Sequence, residues 1–136
     1  MQGVAPQKSA TKRILIVEDN PLNMKLLRDV LEAHGYETIT TGEGGAALTL
    51  ACERQPDLIL MDLQLPDISG FDAVRQLKDD ASTRTIPVVA VTAFAMSGDE
   101  RKALNSGCDA YVAKPISLHK FIEVVERFIG ETGGPR

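Results

Sequence analysis

The sequence predicts an α/β chain built on a doubly wound, five-stranded parallel sheet with helices on both faces. Two observations carry this reading. Ile14–Val17, Leu58–Met61, Val88–Val91 and Ala110–Ala113 are short apolar runs without polar alternation, the pattern of strands buried on both faces. From Arg13 onward these runs alternate with helical spacing, the βαβ rhythm of a parallel sheet. Each run also ends in a polar group: Glu18-Asp19, then Asp62, Thr92 and Lys114. Ligands in such sheets sit just beyond the carboxyl ends of the strands, so these side chains define one candidate edge.

The first helix begins at Asn20-Pro21, a capping residue followed by the proline that suits a first helical position. Leu22, Leu26, Leu27, Val30 and Ala33 give its expected apolar stripe, and Gly35 ends it. Glu37–Thr40 is polar enough for a strand at the sheet edge, and Gly42–Arg54 reads as a second, Ala-rich helix. After Asp62 comes the loop Leu65–Gly70, then helical spacing from Phe71 to Asp79 through Val74 and Leu77. Pro87 opens the fourth strand, a place proline tolerates. Gly98–Asn105 predicts a short polar helix. The last helix, Leu118–Ile129, buries Phe121, Ile122, Val125, Phe128 and Ile129. The expected organisation is a loose arm over residues 1–12, one domain over 13–129 and a Gly-rich tail over 130–136.

A chain of 136 residues with 43% apolar and 25% charged content suits one globular domain. Its net charge of -4 and missing basic stripe argue against nucleic acid as the main partner. No apolar run nears the ~20 residues that cross a bilayer, and the first twelve residues lack the apolar core of a secretory signal, so a cytoplasmic, non-membrane protein is expected. Cys52 and Cys108 lie far apart without metal-ligand spacing and read as reduced packing residues. His34 and His119 lack a second ligand at metal spacing and read as solvated.

Glu18, Asp19 and Asp62 converge if the first and third strands are neighbours. Like charges ~4 Å apart repel by roughly 4 kcal/mol at an effective dielectric of 20, so such a cluster demands cations. Lys114 supplies one, and a hard divalent ion with oxygen ligands supplies the rest. Mg²⁺ fits, because it binds through one or two carboxylates and keeps waters and room for phosphate oxygens. Asp19 and Asp62 are expected as direct ligands, with the Gln64 backbone carbonyl nearby and Glu18 acting through water. Asp62, alone at its strand end, is the candidate nucleophile for an aspartyl-phosphate. The Lys114 ammonium, the Thr92 hydroxyl and the Ala93 N–H are candidates to meet the charge on the transferred group.

Leu15-Ile16-Val17-Glu18-Asp19-Asn20, Leu60-Met61-Asp62-Leu63-Gln64-Leu65-Pro66, Val91-Thr92-Ala93 and Lys114-Pro115, in that order, resemble the motifs of response-regulator receiver domains. The resemblance covers Arg13 to Ile129. Asn20–Lys25 and Thr92–Met96 look most like DivK-type single-domain regulators. It implies a flavodoxin-like (CheY-like) sheet of order 2-1-3-4-5, and a phosphohistidine on a histidine kinase or histidine phosphotransfer protein that donates to Asp62. It also implies that Thr92 moves toward the phosphoryl group while Tyr111 follows inward. A downstream protein target would read the face made by the fourth helix, fifth strand and fifth helix. The donor would dock along the first helix and adjoining loops. Met24, Leu27, Phe94 and Met96 are the candidate partner contacts. Glu18 stands where aspartate is common in the family, and its longer arm still reaches a metal-bound water.

Other readings use the same residue types. A haloacid-dehalogenase-type phosphohydrolase places an acid/base aspartate two positions after its nucleophile; here that position is Gln64, and no cap domain is present. A flavodoxin needs a hydroxyl- and glycine-rich phosphate loop where this chain has Glu18-Asp19. A receiver that is never phosphorylated would not need every site residue. The chain therefore reads as a phosphoacceptor and not as an enzyme with turnover, a freestanding regulator in preference to a module of a hybrid kinase or larger regulator.

Overall fold

The computed structural model describes residues 11–65, 67–92 and 107–130. Five strands form one parallel sheet: β1 (Arg13–Val17), β2 (Glu37–Thr41), β3 (Leu58–Asp62), β4 (Val88–Thr92) and β5 (Ala110–Ala113), in the order β2-β1-β3-β4-β5. The helices are α1 (Pro21–Ala33), α2 (Ala47–Arg54), α3 (Gly70–Asp79) and a C-terminal helix (Leu118–Ile129). The expected helix Gly98–Asn105 lies outside the described residues.

The continuous apolar runs are explained by a core on each side of the sheet. Leu15, Val17, Ile59, Met61, Val88 and Ala90 pack against α2 and α3 through Ala47, Ala51, Val74 and Leu77. The alternate residues Ile14, Ile16, Leu58, Leu60, Val89 and Val112 pack against α1 and the C-terminal helix through Leu27, Leu31, Phe121 and Val125. Each fully buried Leu, Ile or Phe contributes roughly 1.5–3 kcal/mol relative to exposure. β2 is an edge strand with only Ile39 buried, which accounts for its polar sequence.

Helix starts follow their capping residues. Asn20 Oδ1 accepts from the Leu22 and Asn23 N–H groups at 2.9 and 3.0 Å, and Pro21 follows. Ser69 Oγ accepts from the Phe71 N–H at 3.1 Å, so α3 starts at Gly70, one residue earlier than expected. The expected helix Gly42–Arg54 is broken at its start. Gly44–Ala46 form a 3₁₀ turn, and the α-helix begins only at Ala47.

The apolar stripe of α1 differs from expectation. Leu27 and Leu31 are buried, Met24 and Val30 partly so, while Leu22 is 78% exposed and Leu26 40%. At about 100° per residue, positions 24, 27 and 31 share one face, and 22, 26 and 33 rotate away from it. At its edges the hydrogen-bonded fold takes in Lys12, whose carbonyl accepts from the Glu37 N–H, and Gly130, whose carbonyl accepts from Tyr36 Oη at 2.8 Å. Neither Cys52 nor Cys108 forms a disulfide.

Candidate functional site

Strand register builds the site. Val17 pairs with Met61, so the next residues, Glu18 and Asp62, emerge side by side at the switch point between β1 and β3. Thr92 pairs with Ala113, so Lys114 leaves β5 one step beyond the end of β4. One carboxylate oxygen from each of Glu18, Asp19 and Asp62 lies within 4.8 Å of the other two. Glu18 and Asp62 are 3% and 2% exposed, and Asp19 faces solvent. Lys114 Nζ stands 3.5 Å from Glu18 Oε1 and 3.5 Å from Asp62 Oδ2.

The backbone supports both buried acids. The Gln64 N–H donates to Asp62 Oδ1 at 2.9 Å, and the Asn20 N–H donates to Glu18 Oε2 at 3.1 Å. Glu18 Oε1 is buried without a hydrogen bond. Its contact with Lys114 is an ion pair longer than a good N–H···O bond. Burial raises the Glu18 carboxyl above the ordinary carboxylate range, and the charge of Asp62 raises it further; the Asn20 N–H and Lys114 pull the other way. Among the described residues, the three clustered carboxylates are met by the Lys114 ammonium, which stands against Glu18 and Asp62. The donor set is all hard oxygen, it carries excess negative charge, and one buried oxygen lacks a hydrogen-bond donor. Those properties fit Mg²⁺.

The structure brings together Glu18, Asp19, Asp62, Lys114 and the Gln64 backbone. Thr92 ends β4. Ala93, Phe94 and Met96 lie outside the described residues. Tyr111 is half-buried against the core on the α2–α3 side of the sheet. Leu27 is corrected: at 1% exposure it belongs to the core and offers no partner contact, because the helical period turns it onto the sheet. Met24 is half-buried on the same core.

Gly70 was not anticipated as a site residue. A Cβ there would stand 2.4 Å from Leu63 Cα and 2.5 Å from the Asp62 carbonyl oxygen, so the start of α3 presses directly on the end of β3 that carries Asp62. The only available signal was a glycine where a serine cap already begins a helix.

A parallel sheet in this order, with clustered acids and a lysine at its carboxyl edge, defines a receiver domain of two-component signalling. The chain belongs to that family: the response regulator receiver domain model matches residues 14–126. It is 58% identical over 121 residues to the polar-differentiation response regulator DivK of Brucella ovis, covering 89% of this chain and 98% of that protein. Among solved structures it resembles the receiver domain of a sensor histidine kinase from Pseudomonas aeruginosa PAO1, crystallised with magnesium coordinated in the active site cleft. That likeness has a TM-score of 0.82 and 34% identity over 89% of this chain and 99% of the other. It also resembles a chain in the co-crystal structure of the Saccharomyces cerevisiae histidine phosphotransfer protein Ypd1 with the receiver domain of its downstream response regulator Ssk1. There the TM-score is 0.80 and the identity 34%, covering 87% and 88% of the two chains.

Proposed function

We propose that this chain is a DivK-like regulator in which Asp62 accepts a phosphoryl group from a phosphohistidine and then changes protein contacts. The observation that carries the reading is the placement of Lys114 Nζ at 3.5 Å from Asp62 Oδ2, beside the Glu18–Asp19–Asp62 cluster. Asp19 and Asp62 would hold Mg²⁺ directly, with the Gln64 carbonyl, and Glu18 would assist through water. When bound, the ion neutralises charge on the transferring phosphoryl oxygens. Asp62 supplies the attacking carboxylate oxygen; the P–N bond to the donor imidazole breaks as the acyl phosphate O–P bond forms. Lys114, with Thr92 and Ala93, meets the equatorial oxygens. Thr92 and Tyr111 then carry the change to a downstream protein through the face containing β5 and the C-terminal helix.

The donor is a histidine kinase or phosphotransfer protein, and the setting is the cytoplasm. Among the described residues no helix is long and apolar enough to cross a membrane. Phosphate loss from Asp62 acts as a timer and not as turnover, because Gln64 has no acid/base capacity. The receiver domain spans 13–129, flanked by an arm over 1–12 and a tail over 130–136. Incubation with Mg²⁺ and acetyl phosphate tests the assignment by intact mass. One phosphoryl adduct on the wild type that is lost in Asp62→Asn supports it. An adduct that persists in the variant places the acceptor elsewhere.

A further inference from the structure

We infer that Asp67 is a positioning residue whose carboxylate clasps the Asp62–Gln64 loop onto the glycine turn after β2, holding the metal-facing backbone in register. The inference rests on the reading of Asp62 and Gln64 given above. Asp67 Oδ1 accepts from the Gly44 N–H at 3.0 Å and Oδ2 from the Gly45 N–H at 2.9 Å. One carboxylate therefore takes two adjacent amides across 22 or more positions of chain. The amide bonds hold this carboxyl below the ordinary range, Gly45 first, with desolvation opposing and Gly44 adding to the effect.

The glycines leave room for this approach. A Cβ on Gly44 would stand 2.8 Å from Leu65 Cδ1 and 2.9 Å from Ile68 Cγ1, and one on Gly45 would stand 3.2 Å from Asp67 Oδ2. Backbone bonds also tie the loop after β3 at its ends. The Leu63 N–H donates to the Val91 carbonyl at 3.1 Å, and the Gly70 N–H to the Leu63 carbonyl at 3.3 Å. Gln64 lies between these ties and Asp67, and its N–H orients Asp62 Oδ1. Asp67 is exposed and both its carboxylate oxygens are taken up by the glycine amides, so its influence on the metal passes through the backbone. Groups that orient ligands in this way typically change metal affinity by about 10- to 100-fold.

The test measures Mg²⁺ affinity by calorimetry, and amide hydrogen exchange without metal, in the full chain. The proteins are wild type, Asp67→Ala, Asp67→Asn and the control Thr83→Val. Thr83 is buried just beyond the C-terminal end of α3, where its hydroxyl donates to the Leu77 carbonyl. Asp67→Ala is expected to weaken Mg²⁺ binding about tenfold and to speed exchange at Gly44, Gly45 and Gln64. Asp67→Asn keeps one acceptor oxygen and restores part of both. Thr83→Val lowers the melting temperature and leaves the Mg²⁺ affinity alone. Wild-type affinity and unchanged Gln64 exchange in Asp67→Ala would overturn the positioning role while sparing the site. Absence of Mg²⁺ binding by the wild type overturns the site reading, and the positioning role falls with it.

Discussion

Lys114 Nζ is equidistant, at 3.5 Å, from Asp62 Oδ2 and Glu18 Oε1, and so bridges the ends of β1 and β3. Its side chain is 19% exposed, while the two acids are almost fully enclosed. Removing the ammonium leaves adjacent carboxylates without their cation. Breaking a buried pair costs about 3–5 kcal/mol, and the partial hydration of Lys114 reduces this, so Lys114→Met is expected to lose about 2 kcal/mol at neutral pH. Urea unfolding without metal measures it. Added Mg²⁺ is expected to recover more stability in the variant than in the wild type, because the ion no longer meets a neighbouring ammonium.

Glu18→Gln is expected to stabilise the metal-free protein at neutral pH. The folded pKa of Glu18 is raised, chiefly by burial. A raised pKa means that its favourable contribution is present below the unfolded value and lost as pH rises through the folded value. At neutral pH the ionised side chain therefore costs stability, and a neutral amide removes that cost. The unfolding midpoint of Glu18→Gln should exceed that of the wild type at pH 7, and the gap should close below about pH 4, where Glu18 is neutral in both states. Mg²⁺ should reverse the ranking, since the amide brings no charge to the cation. A variant less stable than wild type at pH 7 without metal would contradict this account of the site.

Gly70→Ala is expected to damage stability and site together. Its Cβ meets backbone at 2.4 and 2.5 Å, and backbone cannot swing aside as the end of a side chain can. Overpacking of this kind costs typically 1–3 kcal/mol. The displaced atoms are the Asp62 carbonyl and Leu63, so phosphoryl labelling by acetyl phosphate should slow even in the fraction that stays folded. Labelling at the wild-type rate in the folded variant would separate the helix start from the acceptor.

The carboxyl-edge side chains were legible in the sequence because each one terminates an apolar run. A buried parallel strand writes its own boundaries, and Val17-Glu18 and Met61-Asp62 mark where the apolar run gives way to carboxylates. The α1 stripe was less legible. Leu22, Leu26 and Leu27 are equivalent by composition, and only the rotation of the helix against Ile14 and Leu58 decides which is buried. The 3₁₀ start at Gly44 and the Asp67 clasp depend on pairing between two loops remote in sequence, which no local period encodes.

That rotation separates folding from recognition on a single helix. Leu27 packs beside Leu31 in the core, so Leu27→Ala removes a fully enclosed side chain and should cost about 2–5 kcal/mol. Leu22 and Leu26 contribute little to the core, and Leu22→Ser with Leu26→Ser should shift the unfolding midpoint only slightly. If a phosphohistidine donor docks along α1, these are the side chains it covers, and apolar anchors of this kind carry much of an interface's energy. Transfer from a phosphorylated donor protein should then fall several-fold in the double variant, while labelling by acetyl phosphate, which needs no docking, should be unchanged. Equal loss from both phosphodonors would place the defect in the site and remove α1 from the docking surface.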